Sequence, residues 1–180
     1  DRGLCGGLNS NVIGNVLEKV KSIPKESIAF VTLGKKGRDA ILRMGYQLEA
    51  DFSGLKKLEY EDIAPLVNMV MGDYLGKKCD RVILAYPRFV NAMVQKPSFS
   101  PLLPLAKENL VQILEEISRP ANVRAALVEK DFDYKFEPDP SKVLGALLPK
   151  FTEMQILKAV LESQASEHSA RMAAMKNATD

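Results

Sequence analysis

The chain has 180 residues, and 46% of them are hydrophobic, enough to bury one sizeable core and too few for two ordinary domains. A charged share of 27% and a formal net charge of +2 exclude a disordered polar tail and a polybasic nucleic-acid binder, so no nucleic acid is expected as a partner. The longest apolar runs, such as Arg81 to Val90 and Val143 to Leu148, fall far short of the roughly 20 residues that a membrane-spanning helix needs.

The first residues, Asp1 to Gly7, read as a turn rich in glycine. Nothing stands before them for that turn to connect, so an upstream element is expected to be missing. Leu8, Val12, Val16, Leu17 and Val20 then recur at helical spacing, with Asn9 or Ser10 available as a cap and Pro24 as a stop. Ser27 to Leu33 is too short and too rich in β-branched and aromatic residues for a helix and predicts a buried strand ending at Gly34. Lys35 to Met44 follows as a helix closed by Gly45, and Tyr46 to Phe52 alternates as a short strand does. Ile63, Leu66, Val67, Val70, Met71, Tyr74 and Leu75 form an amphipathic stripe that Gly76 should end.

Arg81 to Tyr86, bounded by Asp80 and Pro87, suits a central strand. From Arg88 to Leu105, Pro97, Pro101 and Pro104 argue for extended chain at an edge, as the hairpin partner of that strand. Lys107 to Ala126 mixes a short helical pattern with Pro120, and Phe132 to Phe136 alternates aromatic and charged residues as a half-exposed strand would. Glu137-Pro138-Asp139-Pro140 halts that strand. Asp139 should cap a helix whose first position is Pro140, and Pro149 should interrupt or kink it before a longer segment runs to the end. That end carries no stop signal, so the last helix is expected to be cut.

The order of elements predicts an α/β protein: a Rossmann-like open sheet covered by helices, with a long C-terminal helix. Its division would be an α/β domain over 1–138 and a helical segment over 139–180. In the last helix, Leu157, Leu161, Ala165, His168, Met172 and Met175 keep to one side with the seam of a coiled coil. Around them lie Ala159, Ser163, Ser166, Ser169, Ala170, Ala173, Ala174 and Ala178, so the helix is slim. An ordinary alanine-rich core helix is the plainer alternative. Against it stands length: about thirty residues from Lys150, at about 1.5 Å each, make a rod longer than a domain of this size is wide. Glu167 and Arg171 have the spacing and order of a helical ion pair.

Catalytic chemistry finds little footing. Gly3, Gly6 and Gly7 before a helix suggest a phosphate cradle, but their spacing fits neither the dinucleotide fingerprint nor the P-loop, and a tight turn with positive φ explains them better. His168 is the only histidine and has no second ligand at metal-binding spacing. Cys5 has no evident base nearby in the chain, and with Cys79 it makes neither a redox pair nor a disulfide framework, which fits a reducing compartment. No catalytic residue, cofactor or metal is expected.

Two stretches go beyond pattern. Asp1-Arg2-Gly3-Leu4-Cys5-Gly6-Gly7-Leu8-Asn9 and Ala165-Ser166-Glu167-His168-Ser169-Ala170-Arg171-Met172-Ala173-Ala174-Met175-Lys176-Asn177-Ala178-Thr179-Asp180 resemble the motif after the first strand and the C-terminal helix signature of gamma subunits of F-type ATP synthases. Phe136-Glu137-Pro138-Asp139-Pro140 is similar to that family's exposed segment before the last helix. The resemblance covers essentially the whole chain, though from about Leu48 to Lys130 it is one of pattern more than of motif.

The resemblance implies a non-catalytic rotor in the central stalk, built as an antiparallel coiled coil of N- and C-terminal helices with a Rossmann-like domain inserted. The chain would then lack the N-terminal helix, the first strand and the shaft tip. Implied partners are the alpha and beta subunits, the epsilon subunit and the c-subunit ring, with the complex peripheral to a bacterial or mitochondrial inner membrane. Position by position, the turn with Arg2 and Cys5 would face a catalytic subunit. Tyr134, Phe136 and Glu137 would form the foot that meets the membrane ring and epsilon, and Glu167 and Arg171 would be charged shaft positions. The competing reading is a free-standing Rossmann-like nucleotide- or ligand-binding domain.

Overall fold

The computed structural model describes residues 5–53, 60–105 and 140–179. The strand expected over Phe132 to Phe136, the short helix within Lys107 to Ala126, the Asp139 cap and the candidate interface residues Arg2, Tyr134, Phe136 and Glu137 lie outside the described residues.

Helix α1 spans Leu8–Val20, with the apolar stripe Val12, Val16, Leu17 and Val20 half-buried. It packs on the later hairpin, where Lys19 Nζ lies 4.3 Å from the centre of the Phe99 ring. Neither Asn9 nor Ser10 caps it. Gly7 is the N-cap and has no side chain to bond with; the turn before it satisfies Leu8 N–H through Cys5 O (3.3 Å), and Asn11 N–H to Gly7 O (2.8 Å) opens the helical ladder. Gly6, at φ +56, provides the left-handed residue that the turn needs.

Strand β1 (Ala29–Thr32), helix α2 (Lys35–Arg43) and strand β2 (Gln47–Asp51) form a βαβ unit, and the two strands pair in parallel with Ala29 opposite Gln47 and Thr32 opposite Asp51. A parallel pair requires a crossover, and α2 supplies it. Its end is a Schellman turn: Gly45 sits at φ +70, its N–H bonds Leu42 O at 3.1 Å, and Tyr46 N–H bonds Ile41 O at 3.2 Å. Lys25 folds over this turn, its ammonium donating to Met44 O at 2.6 Å and lying 5.0 Å from the centre of the Tyr46 ring. A cation at a helix C-terminus satisfies carbonyls that the helix leaves open.

Helix α3 (Tyr60–Leu75) ends in the same manner with a different residue. Gly76 was expected to be the stop, yet the left-handed residue is Lys77, at φ +56. Lys77 N–H bonds Tyr74 O at 3.1 Å and Lys78 N–H bonds Asp73 O at 2.9 Å. Gly76 is closely packed: a Cβ there would sit 3.0 Å from Gly72 O, the carbonyl that its N–H bonds at 2.8 Å.

Strands β3 (Val82–Phe89) and β4 (Gln95–Leu103) make the expected antiparallel hairpin, with Val82 opposite Leu103 and Phe89 opposite Gln95. Asn91 closes the turn, its Oδ1 accepting from the N–H groups of Met93 and Val94 at 2.9 Å each. Pro97 and Pro101 do not keep β4 from pairing along its whole length. They are tolerated because, among the described residues, β4 pairs only with β3. The four described strands pair two by two, β1 with β2 and β3 with β4.

The last helix, α4, runs unbroken over Pro140–Thr179. Pro149 does not interrupt it. That residue is exposed, so the hydrogen bond its ring deletes is lost on the solvated side, where water can replace it. The core is where α3, the hairpin and α4 meet: Ile63, Leu66, Val67 and Val70 pack with Leu102 and Leu103 and with Ile156 and Val160. Each such side chain, fully buried, contributes about 1.5 to 3 kcal/mol.

Candidate functional site

At about 1.5 Å per residue, the 40 residues of α4 make a rod of about 60 Å with two unlike faces. One face is taken by the rest of the chain. Thr152 and Ser166 are fully buried, and Ile156, Ala159, Val160 and Ser169 are nearly so, facing α3 and β3. Below this face Thr152 Oγ1 bonds back to Leu148 O at 3.0 Å. Further along, Ser166 Oγ donates to Pro87 O of β3 at 3.0 Å.

The opposite face stands open. Met154, Lys158, Leu161, Ala165, His168, Met172 and Met175 follow one another by alternating steps of four and three, and all but the half-buried Ala165 are exposed. Met154 is 52% exposed, Leu161 53%, Met172 63% and Met175 56%. The stripe has the heptad spacing of a coiled-coil seam, with Met154, Leu161, Met172 and Met175 as its large apolar members, and among the described residues no helix covers it. Of the seam residues expected from sequence, Leu157 alone turns away and packs against the core. The small residues Ala159, Ser163, Ser166, Ser169, Ala170 and Ala173 lie on the covered or half-covered side, where they let β3 and α3 come close.

Glu167 and Arg171 form the ion pair that their spacing predicts, with side chains 23% and 20% exposed. They hold each other beside the seam. Cys5 is 4% exposed, and its Sγ accepts from Asn9 Nδ2 at 3.2 Å. Its side chain therefore fastens the first turn from inside and offers no surface of its own.

The crevice at the carboxyl end of a parallel strand pair is where an open α/β fold usually holds a nucleotide, with an acid at the end of the second strand for the ribose. Asp51 occupies that place, and both of its oxygens are occupied within the chain. Oδ1 accepts from Thr32 Oγ1 at 3.0 Å and from Ser53 N–H at 3.1 Å; Oδ2 accepts from Ser53 Oγ at 2.6 Å and from Arg38 Nη1 at 3.3 Å. Partial burial pushes the Asp51 carboxyl up, but the bonds from Ser53, Thr32 and Arg38 together outweigh it and hold the group below the usual carboxylate range. Arg38 is divided between Asp51 and Asp39, the latter at 2.8 Å. This cluster ties β1, α2 and β2 together. Spacing alone cannot announce it, since Thr32 and Asp51 meet only through the parallel pairing.

An open groove of about 400 Å³ lies between α1 and the end of α2, lined by Leu17, Glu18, Lys21, Lys25, Met44 and Tyr46. Its central cation, Lys25, is the one that caps α2. Among the described residues no group of three or more His, Cys, Asp or Glu side chains could hold a metal, and no helix is long and apolar enough to cross a membrane.

The family model described as ATP synthase matches residues 1–180. An ATP synthase gamma chain of Dehalococcoides mccartyi is 37% identical over 181 residues, spanning 100% of this chain and 58% of its own length. One of Pelotomaculum thermopropionicum is 39% identical over 180 residues, spanning 99% and 58%. The chain thus spans about 58% of the length of these curated relatives. In fold, it superposes on a chain of the central stalk and c-ring structure of the Tetrahymena thermophila mitochondrial ATP synthase with a TM-score of 0.71 at 23% identity, covering 100% of this chain and 73% of that one. For the rotor of the Euglena gracilis mitochondrial ATP synthase the TM-score is 0.60 at 23% identity, covering 98% and 63%. With a family match over its whole length and gamma chains as its relatives, this chain belongs to the ATP synthase family.

Proposed function

We propose that the chain works as the central-stalk rotor of an F-type ATP synthase, a subunit without catalytic groups that carries rotation between a membrane ring and catalytic subunits. The observation that carries this reading is the seam of Met154, Leu161, His168, Met172 and Met175, left open on one side of a rod whose other side is bound to the base. A second helix laid along the seam in the antiparallel sense completes the shaft. Residues 1–138 then form the base and 139–180 lead into the shaft.

The partners in this reading are the alpha and beta subunits around the shaft, and the c-ring and epsilon subunit at the foot around Tyr134, Phe136 and Glu137. The first turn, with Arg2, faces a catalytic subunit. Glu167 and Arg171 stiffen the shaft beside its seam. A rod with unlike sides offers different contacts to its surroundings in each orientation, and only such differences shift catalytic subunits between open and closed states. The complex sits peripherally on its membrane through the ring.

The test is reconstitution of the full-length protein with alpha and beta subunits in vesicles that carry the ring. Co-purification and ATP synthesis driven by an ion gradient are expected, and replacement of Tyr134 and Glu137 together should lower synthesis with the fold intact. Full-length protein that never co-purifies with alpha and beta subunits, and instead binds a nucleotide saturably at micromolar concentration, would replace the rotor with a nucleotide-binding domain.

A further inference from the structure

The hydroxyls of α4 do not all behave alike. Thr152, Ser163 and Thr179 each donate back to the carbonyl four residues earlier, at 3.0, 2.7 and 3.0 Å, the usual outlet for a hydroxyl inside a helix. Ser166 does not. Its Oγ crosses to Pro87 O of β3, and the residue is fully buried at that contact.

Pro87 is a place where the hairpin has an acceptor to spare. Its register partner is Pro97, and since neither proline has an N–H the two make a non-hydrogen-bonded pair, whose carbonyls point away from the opposite strand. A carbonyl buried without a donor costs about 1 to 3 kcal/mol, so Ser166 supplies the donor that this outward-facing carbonyl needs.

The hairpin is therefore held to α4 at two separate levels. At its base, Val82, Leu84, Leu102 and Leu103 pack with Ile156 and Val160. Ten residues further along the helix, about 15 Å on, Ser166 grips Pro87. Apolar packing at one level resists separation but leaves the far half of a hairpin free to tilt. A directional bond at a second level removes that tilt.

We propose that Ser166 is a positioning residue: its bond to Pro87 locks the distal half of the β3–β4 hairpin to the helix, so that base and rod turn as one stiff body. This rests on the rotor reading for its purpose, though the lock itself does not depend on it.

The experiment compares Ser166→Ala with Ser163→Ala in the full-length protein, assembled with its complex. Hydrogen exchange of the amides in 88–96 is followed by mass spectrometry, beside the ratio of gradient-driven ATP synthesis to ATP hydrolysis. Ser166→Ala should exchange roughly three- to tenfold faster over 88–96 and lower the ratio of synthesis to hydrolysis, while Ser163→Ala, which loses only a bond within the helix, should change neither. Unchanged exchange in Ser166→Ala would overturn the lock, and faster exchange with an unchanged ratio would reduce Ser166 to a merely structural residue. The exchange result is read on the chain itself, so a failure of the rotor reading shows separately, as a protein that does not assemble with alpha and beta subunits.

Discussion

Thr32 and Asp51 close the carboxyl ends of two parallel strands with one hydrogen bond of 3.0 Å, Oγ1 to Oδ1, between positions 19 residues apart. The bond turns a place suited to a ligand into a joint between β1 and β2.

Asp51 consequently links stability to pH. Its carboxyl is held below its ordinary value in the folded chain, so its contribution is fully present above the unfolded pKa of about 3.9 and is lost as pH falls through the lower folded value. Urea titrations should show the wild-type chain losing stability below about pH 4 by more than Asp51→Asn does, with Asp51→Asn the less stable of the two at pH 7. Parallel pH profiles for the two proteins would show that the joint contributes nothing.

Lys77 holds a left-handed conformation at φ +56 with no glycine to ease it. Lys77→Gly should raise the unfolding free energy by about 0.5 to 1 kcal/mol. Gly45→Ala, at φ +70, should lower it by about 1 to 2 kcal/mol. Thermal unfolding followed by circular dichroism measures both. A Lys77→Gly variant that melts earlier than wild type would contradict the geometry of the α3 terminus.

The two faces of α4 predict opposite responses to mutation. Ile156→Ala cuts into the core and should cost about 2 to 4 kcal/mol. Leu161→Ser with Met172→Ser, both on the open seam, should leave the 180-residue chain within about 0.5 kcal/mol of wild type while weakening assembly of the full-length protein. If denaturant midpoints fell equally for the two sets, the open face would not be open.

Cys79 should be a slow nucleophile. Burial pushes its thiol up, and the negative charges of Asp73 and Asp80 push it further in the same direction. Iodoacetamide at pH 8 should modify Cys79 at least about threefold more slowly in the native chain than in urea, and Asp73→Asn should speed the native reaction. Equal native and denatured rates would remove the basis for this expectation.

Much of this architecture is legible in local sequence, and the reasons for the exceptions are physical. Helix α1 and the closing of α2 at Gly45 follow from apolar spacing and from glycine's freedom at positive φ, both properties of neighbouring residues. Gly76 shows the limit of that logic. Composition marks it as the stop, but the left-handed residue falls one place later, on Lys77, while Gly76 still bonds Gly72 O as the helix does. The seam of α4 was readable from its period, whereas its orientation was not. Only the packing of Ile156 and Val160 decides that Leu157 turns inward and Met154 outward. Least legible are bonds such as Ser166 to Pro87, 79 residues apart, because nothing local to either residue specifies the other.

The prolines of β4 bear on how molecules of this chain behave toward one another. Wherever a hairpin edge is bare, a strand from a neighbouring molecule can add to it by backbone pairing, and this is a common start of aggregation. Pro97 and Pro101 remove two of the N–H groups that such a newcomer would need. The β4 edge therefore offers a copy of itself two donors fewer than an ordinary strand of its length would.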